Sequence, residues 1–358
     1  MLDMEFRILD VLTREIGNAL SINKIAEKVR TLYGSGDYKN IYVAINNMNK
    51  DKIVTLEQAG NTSIASINFE NYLIIDLLSE MELRKKRDFL KNRQEMQMLM
   101  LEFDTYLYNQ DLIQSISIIN PERNAKLNKA EFLVHLKKSS NRKVVYETKL
   151  GIYVMLNHLQ MIHTIRIDAL VLEDDEVSDL LKSNEANPVR EMFYDKIAIF
   201  SSQSFWLWIR NEIIKGMKIK TEEHQTHPAK ISEEDLVYNL ARFGYTEFGP
   251  KIKEGRQICM EYTIAAIMFR KDARRIDAIA IMLAKNTKRT NYDLLLFISR
   301  KYDFAEKILG ILKSLRNLVT HVTTAAEEPI RLLESMNIEE IRADEKNMKD
   351  RLKLYRVT

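Results

Sequence analysis

Two sets of residues have side chains and spacings that could act on phosphate groups. Arg316, Asn317 and His321 stand in "LRNLVTH", where a helix would place His321 about one and a half turns from Arg316. A histidine can transfer a proton and an arginine can hold a phosphate, which are two functions that cleavage of a phosphodiester without a metal requires. Glu131 and Asp168 offer carboxylates, the ligand type that magnesium prefers.

The first 70 residues predict three helices followed by a hairpin. Apolar residues recur at helical spacing in the first helix, Ser21 is a suitable N-cap for the second, and the third runs from Tyr38 to about Lys50. Two strands joined at Gly60-Asn61 follow. These are the elements of a winged helix-turn-helix, whose third helix can enter a DNA major groove while the hairpin reaches the backbone beside it.

The outward face of the third helix and the tip of the hairpin supply the predicted DNA-binding residues. They are Lys39, Asn40, Tyr42, Asn46, Asn47, Lys50, Asn61 and Thr62. Asparagine amides can pair with base edges, and lysines with phosphates. This face therefore predicts double-stranded DNA as a partner. The alternative is a protein-docking module, because the helix has only two lysines.

The stretch "SISIINPERNAKLNKAEFLVHLKK", Ser115 to Lys138, resembles the nucleotidyltransferase signature in its order of strand, basic loop and second strand. In that signature a Gly-Ser approaches the triphosphate and two aspartates hold magnesium. Here Asn120 and Pro121 stand at the Gly-Ser, and Ala130 and Phe132 at the aspartates. Proline lacks an N–H donor, and neither alanine nor phenylalanine can ligate a hard cation. The resemblance therefore implies a retained fold with its chemistry lost, and we expect no metal or other cofactor.

Glu131 and Asp168 are the relic positions of that signature. Asp168 stands in "TIRIDALVL", where the third carboxylate of the family is expected. Glu131 is next to the lost aspartates, but strand alternation points it to the opposite face from its neighbours. One correctly placed carboxylate does not make a two-metal site.

Longer stretches resemble archaeal proteins that fuse a winged helix to a nucleotidyltransferase-like domain. The similarity lies in "ALSINKIAEKV", "NIYVAINNMNKDKIV" and "GNTSIASIN", followed by the helical "FENYLIIDLLSEMELRKKRDFLK", and it covers about residues 1–215. It implies a winged helix-turn-helix at 1–70, a connecting helix at 71–101 and a degenerate nucleotidyltransferase-like domain at 102–220. The connecting helix could join two copies into a homodimer, which would present two half-sites to DNA.

Residues 231–358 predict a helical domain, either a bundle or a solenoid-like stack. The spacing of Arg316, Asn317 and His321 within it resembles the R-N-x-x-x-H motif of HEPN ribonucleases, which often accompany minimal nucleotidyltransferases. The alternative is a solvated Arg316 and a packing His321, because such a short motif arises easily by chance.

Composition narrows the function classes. Lys+Arg 54 against Asp+Glu 51 leaves a net charge of +3, so a nucleic-acid surface must be a local patch. Cys259 is the only cysteine, which excludes an intrachain disulfide and a cysteine-based zinc cluster. No stretch approaches a membrane span and the first residues lack a signal-peptide pattern, so we expect a cytoplasmic protein without membrane contact.

The combined prediction is a helix-rich α+β protein with an N-terminal winged helix-turn-helix, a central nucleotidyltransferase-like mixed sheet with helices, and a C-terminal all-α bundle. Its predicted function is non-catalytic DNA binding, as a transcription regulator, an antitoxin-like factor or a scaffold on an inactive nucleotidyltransferase fold. The alternative is an enzyme. It would be a metal-independent ribonuclease through Arg316 and His321, or a residual nucleotidyltransferase through Glu131 and Asp168.

Overall fold

The computed structural model describes residues 3–107, 110–224, 226–246 and 252–357. Both ends of the chain fall outside these ranges. The outermost residues of the predicted segments 1–70 and 231–358 therefore lie outside the described residues.

The described chain is helix-rich and mixes α and β elements, which confirms the predicted α+β class. In chain order the helices are α1 (Asp3–Arg14), α2 (Ile22–Tyr33), α3 (Tyr38–Lys50), α4 (Ile74–Leu90), α5 (Gln94–Leu107), α6 (Pro121–Lys126), α7 (Arg142–Ile162), α8 (Asp174–Lys182), α9 (Pro188–Met192), α10 (Ser202–Ile214), α11 (Glu233–Arg242), α12 (Met260–Arg270), α13 (Ala273–Lys285), α14 (Tyr292–Lys301), α15 (Ala305–Leu318), α16 (Thr323–Ser335) and α17 (Glu345–Leu354). The strands are β1 (Leu20–Ser21), β2 (Val54–Ala59), β3 (Thr62–Ile67), β4 (Ile113–Ile119), β5 (Lys129–Leu136), β6 (Arg166–Glu173) and β7 (Lys196–Phe200). Short 3-10 turns lie at Pro228–Lys230 and Thr320–Val322.

Two compact units divide the chain, and each collects separate stretches of sequence. The first unit holds Met1–Lys137, Val177–Lys182 and Val189–His224, and the second holds Lys138–Glu176, Ser183–Pro188 and Gln225–Thr358. The four predicted segments are each contiguous in sequence. The boundaries of the predicted segments therefore differ from those of the two units. The division into four domains stays a prediction.

Helices α1, α2 and α3 pack together in the first unit through apolar side chains spaced three or four residues apart. The side chain of Ser21 accepts the N–H of Lys24 at 3.2 Å, which caps the start of α2. The buried face of α3 is formed by Ile41, Ile45 and Met48, as the sequence predicts.

A three-stranded antiparallel sheet in the order β1-β3-β2 completes this part of the first unit. Its hairpin pairs Leu56 with Ala65 and turns at Gly60, whose φ of 60° a glycine adopts without strain. Near the end of α3, Oδ1 of Asn49 accepts the N–H of Leu56 at 3.2 Å. This hydrogen bond holds the hairpin against α3.

A second antiparallel arrangement in the first unit places β4 between β5 and β7. All the residues of β4 from Ser115 to Ile119 are buried, so both faces of this strand are covered. Helices α4 and α10 pack against each other, and both contact this group of strands.

The predicted connecting helix at 71–101 is two helices, α4 and α5, which corrects this prediction. Asn92 between them has a φ of 64°, a left-handed conformation that ends an α-helix. The side chain of Gln97 donates to the carbonyl of Leu90 at 2.7 Å, which satisfies an acceptor left open at the end of α4.

A network of charges ties α1 to α4 inside the first unit. Asp10 is buried, accepts the hydroxyl of Tyr33 at 2.8 Å, and has its Oδ1 2.9 Å from Nζ of Lys85. Arg14 lies 3.4 Å from Oδ2 of Asp10 and 3.1 Å from Oδ1 of Asp195. Burial by itself would raise the pKa of Asp10, but the charges of Lys85 and Arg14 together hold that pKa well below its usual range.

Lys196, at the start of β7, is a cation that is only 3% exposed. Its Nζ donates to the carbonyl of Phe193 at 3.0 Å and lies 5.3–5.5 Å from the ring centres of Phe193, Phe205 and Trp206. Burial lowers the pKa of Lys196 to about 7, although the charge of Glu82 opposes this shift. The free-energy cost of burying the charged ammonium of Lys196 is therefore larger than its stabilisation by the surrounding groups.

Replacement of Lys196 by methionine is expected to raise the free energy of unfolding by about 1–3 kcal/mol at pH 7, because no charge is then buried. In the unfolded chain Lys196 has its ordinary pKa of 10.5, so from about pH 7 to 10 the unfolded state binds more protons. Stability from this residue therefore rises with pH in that window. Denaturant titrations of both proteins between about pH 7 and 9 measure the slope, and parallel profiles would contradict a lowered pKa.

In the second unit, β6 packs against α7 and α14, and α16 also packs against these two helices. The side chain of Ser232 accepts the N–H of Asp235 at 3.0 Å and caps α11, in agreement with the helix start predicted there. From α11 onward the regular elements of the described residues are all helices. Within the described ranges, we find no helix with the length and apolar character needed to cross a membrane.

Candidate nucleic-acid interface

The face of α3 opposite its buried residues is open to solvent. Of the predicted DNA-binding residues, the exposed ones are Lys39, Asn40, Tyr42, Asn47, Lys50, Asn61 and Thr62. Asn46 is half-buried, and its amide Nδ2 donates to the carbonyl of Tyr42 at 2.8 Å. One of the two amide N–H groups of Asn46 is thus engaged within the helix, which leaves its second N–H and its Oδ1 able to contact a base.

Aromatic side chains also line the exposed face of α3. The rings of Tyr38 and Tyr42 stack with their centres 6.2 Å apart, and both side chains are exposed, as is Val43. The sequence analysis did not single out Tyr38 or Val43. The signal that could have found them is their position one turn before Tyr42 and beside it on a helix whose buried face was already known.

The charge near α3 is weakly positive. Lys39, Lys50 and Lys52 are exposed there, as are Asp37 and Asp51, which gives a local net charge of +1 (3 − 2). Phosphate contacts depend on nearby lysines, so this surface could make only a few such contacts. Any affinity of this surface for DNA should therefore depend only modestly on salt concentration.

The side chains at the positions that the resemblance aligns with the nucleotidyltransferase motif are buried. Ala130 and Phe132 are buried on β5, and the ring of Phe132 packs against Phe103 with centres 5.0 Å apart. Pro121 is buried in the first turn of α6, and the N–H of Asn120 donates to the carbonyl of Asp195 at 2.8 Å in the same unit. Buried apolar side chains therefore stand at the two positions that the resemblance assigns to metal-binding aspartates.

Glu131 and Asp168, the two carboxylates that the resemblance singles out, belong to different units of the chain. Glu131 is buried in the first unit, on β5 opposite Ile119 of β4. Asp168 is buried in the second unit, with Oδ2 3.2 Å from Nε of Arg166 and Oδ1 3.9 Å from Nε of Arg300. Guanidinium groups face both oxygens of Asp168. In the part of the chain that the structure describes, no three His, Cys, Asp or Glu side chains are grouped so as to hold a metal ion.

An open groove of about 790 Å³ adjoins Asp168 in the second unit. Its walls include Arg166 and Arg300, which could in principle attract an anion. Nε of Arg166 lies 3.2 Å from Asp168, and Nη2 of the same arginine lies 2.9 Å from Asp303. The positive charge of Arg166 is therefore already neutralised by these carboxylates. The sequence analysis missed this groove, because its walls come from helices far apart in sequence.

The prediction that a single helix carries the whole R-N-x-x-x-H motif is wrong. Helix α15 ends at Leu318, and Val319 is extended with a φ of −132°, so His321 lies in a separate 3-10 turn. One ring nitrogen of His321, Nε2, is 2.9 Å from the carbonyl of Ala284. Within the same unit, Arg316 lies 3.4 Å from Glu327, while Asn317 is exposed. The arginine and the histidine thus have separate partners and do not share a helical face.

No protein-family model matches the chain, and no similar curated protein or solved structure was found. The resemblances to winged-helix nucleotidyltransferase-like proteins and to HEPN ribonucleases therefore stay predictions. A function for the chain has to follow from the geometry of its own residues.

Proposed function

We propose that the chain binds double-stranded DNA through the exposed face of α3 and acts without catalysis. The observation that supports this most directly is α3 itself. One face packs on α1 and α2, while the other presents lysines and asparagine amides beside a hairpin. The element order α1-β1-α2-α3-β2-β3 and the sheet order β1-β3-β2 support a winged helix-turn-helix.

The exposed side chains divide into two kinds of contact. Asn40 and Asn47 would pair with base edges in the major groove, and Lys39 and Lys50 would contact phosphates on either side. The hairpin tip, held against α3 by Asn49, would reach the neighbouring backbone. Tyr42 would add an apolar contact, for example with a thymine methyl group.

The remainder of the chain supports a non-catalytic role. The β4-α6-β5 segment is consistent with a nucleotidyltransferase-like fold, and the buried Ala130 and Phe132 support the loss of its chemistry. The helices from α11 to α17 support an all-α C-terminal part. A cytoplasmic transcription regulator, antitoxin-like factor or scaffold fits these features, and the lone Cys259 suits a reducing compartment.

A homodimer would strengthen DNA binding, because two half-sites bind together more tightly than one weakly basic face. We propose that it forms through the connecting segment. Tyr72, Leu73 and Leu83 are exposed there, whereas the other apolar side chains of α4 are mostly buried within the first unit.

Anisotropy of a labelled pool of random-sequence duplexes tests the proposal. Lys39→Glu with Lys50→Glu is expected to weaken binding by about tenfold or more and to lower the salt slope by about 2, because two phosphate contacts become repulsive. The matched control is Lys346→Glu with Lys349→Glu, the same charge change on exposed lysines of α17. Equal affinities for the two double variants would show that α3 is not the DNA-binding element.

A further inference from the structure

A small cavity in the second unit is lined by none of the proposed DNA-binding residues. It has a volume of about 250 Å³, and its walls come from α7, α14, α16 and the junction of β6 with α8. We call it the acidic cavity, because its charged lining comprises Glu173, Glu176, Asp293 and Glu328 against Arg142 and Lys149. With every group ionised, the net charge of this lining is −2 (2 − 4).

The cations in the lining neutralise only two of the four carboxylates. Lys149 and Asp293 form a buried ion pair, with Nζ 2.6 Å from Oδ2. Arg142 pairs with Oε1 of Glu173. Glu176 lies 3.9 Å from Nζ of Lys149 and accepts the backbone N–H of Glu173. Negative charge is therefore left over on this side of the cavity.

Glu173 has one carboxylate oxygen that is not engaged by Arg142. This residue is 5% exposed, and its Oε2 is buried with no hydrogen-bond partner in the described part of the chain. A buried carboxylate oxygen without a donor is costly, and such atoms are nearly always satisfied in native proteins. A donor brought by a ligand would satisfy Glu173 at this wall of the cavity.

Part of the remaining lining is apolar, beside the hydroxyl-bearing Thr290, Tyr292 and Thr324. Val145, Leu296, Pro329 and Leu332 are buried side chains of the same cavity. Apolar walls beside carboxylates suit a ligand with a hydrocarbon chain and a charged end. A bare metal ion would instead need several oxygen ligands around one point, and the described residues provide no such group.

We propose that the acidic cavity binds a small alkylammonium compound, with an ammonium group at Glu173 and Glu176 and its carbon chain against Val145 and Leu296. The volume is sufficient for a chain of about four carbons with an ammonium group at each end. Two ammonium groups would also balance the net charge of the lining.

The protonation state of Glu176 should respond to a bound ammonium group. Burial raises the pKa of Glu176 to about 7, the charge of Asp293 adds to this shift, and Lys149 opposes it. A bound ammonium would lower this pKa again. Binding at pH 7 should therefore release up to about half a proton from Glu176.

Isothermal titration calorimetry of the full chain with 1,4-diaminobutane tests the proposal. Butane-1,4-diol and succinate have the same carbon chain with no charge and with the opposite charge, and magnesium chloride tests a metal site. We expect the diamine to bind with a Kd in roughly the micromolar to millimolar range, and at least about tenfold more tightly than the other three. Equal binding of the diol, tighter binding of magnesium, or no binding of the diamine at about 10 mM would overturn the proposal.

Variants identify the position of the bound amine. Glu173→Gln is expected to weaken diamine binding by about tenfold, and Glu328→Gln, at the exposed rim, by about threefold. Glu328→Gln also keeps the test decisive where Glu173→Gln disturbs folding. The control Glu147→Gln, exposed on α7 and absent from the lining, should bind as the parent does. Unchanged affinity in both lining variants would overturn the proposal.

Proton release provides a second measurement. Titrations at pH 7 in phosphate and in Tris, which differ in ionisation enthalpy, should give different heats for the parent and equal heats for Glu176→Gln. Equal heats for the parent would place the ammonium away from Glu176. These titrations contain no DNA, so their outcome is independent of the function proposed for α3.

Discussion

Replacement of Asp10 by alanine is expected to lower the free energy of unfolding of the first unit by about 3–5 kcal/mol. Asp10 is 2% exposed and faces Lys85, Arg14 and Tyr33, so its removal takes the nearest counter-charge from Lys85, whose side chain is only 14% exposed. Removing one member of a buried ion pair costs far more than the pair contributes, because the other charge stays desolvated.

Chemical denaturation measures this loss, and Asp3→Ala is the matched control. Asp3 lies on the same helix and 2.6 Å from both Arg7 and Arg84, but its side chain is 55% exposed. Water can replace these partners, so the control should change the stability little. A loss for Asp10→Ala no larger than that for Asp3→Ala would contradict the assigned role.

The same aspartate predicts acid sensitivity. The pKa of Asp10 is held below its ordinary value of 3.8, so the unfolded chain takes up a proton at higher pH than the folded one. Its contribution is therefore fully present well above pH 3.8 and is lost as the pH falls below that value towards the folded pKa. Asp10→Ala should show a weaker loss of stability in this range, whereas a profile parallel to that of the parent would count against the lowered pKa.

Replacement of Asp293 by alanine is expected to destabilise the second unit by about 3–5 kcal/mol. The Nζ of Lys149 lies 2.6 Å from Asp293, and the two side chains are only 5% and 11% exposed. Without Asp293, the Nζ of Lys149 would keep Glu176 at 3.9 Å as a more distant carboxylate. The exposed pair Lys138–Asp175 has the same 2.6 Å separation but side chains that are 64% and 63% exposed.

These two pairs separate the effect of distance from that of burial. Asp175→Ala should change thermal stability little, because water solvates Lys138 in either case. Lys149→Met combined with Asp293→Leu should recover most of the stability lost in Asp293→Ala, since it removes the buried cation as well. Similar losses for Asp293→Ala and Asp175→Ala would show that burial does not control the strength of these pairs.

Local patterns predicted the elements of the proposed interface with few errors. The start and end of α3, its buried Ile41, Ile45 and Met48, and the hairpin turning at Gly60 agree with the structure. Helical periodicity, caps and turn residues act over a few neighbouring positions, so they can be recognised without the tertiary fold. The exception is the break between α4 and α5, where a single Asn92 adopts a left-handed conformation in a strongly helical stretch.

The residue types between β4 and β5 also predicted that this segment lacks paired aspartates at positions 130 and 132. The structure adds that Ala130 and Phe132 are buried against neighbours such as Phe103, which a sequence cannot show. It also separates Arg316 from His321, because the helix that the motif needed ends at Leu318. The residue at which a packed helix ends depends on contacts with segments distant in sequence. The local pattern around Arg316 was therefore insufficient to predict that α15 ends at Leu318.

The sequence by itself determined which side chains α3 buries, because these follow from residue type and short-range periodicity. Only the tertiary structure decided the environments of the buried charges. Asp10 meets Lys85, and Lys149 meets Asp293, across separations of 75 and 144 residues (85 − 10 and 293 − 149). Burial and nearby charge set the pKa and energy of such groups, and both are properties of the folded chain. The acidic cavity has the same origin, since its carboxylates come from four separate elements.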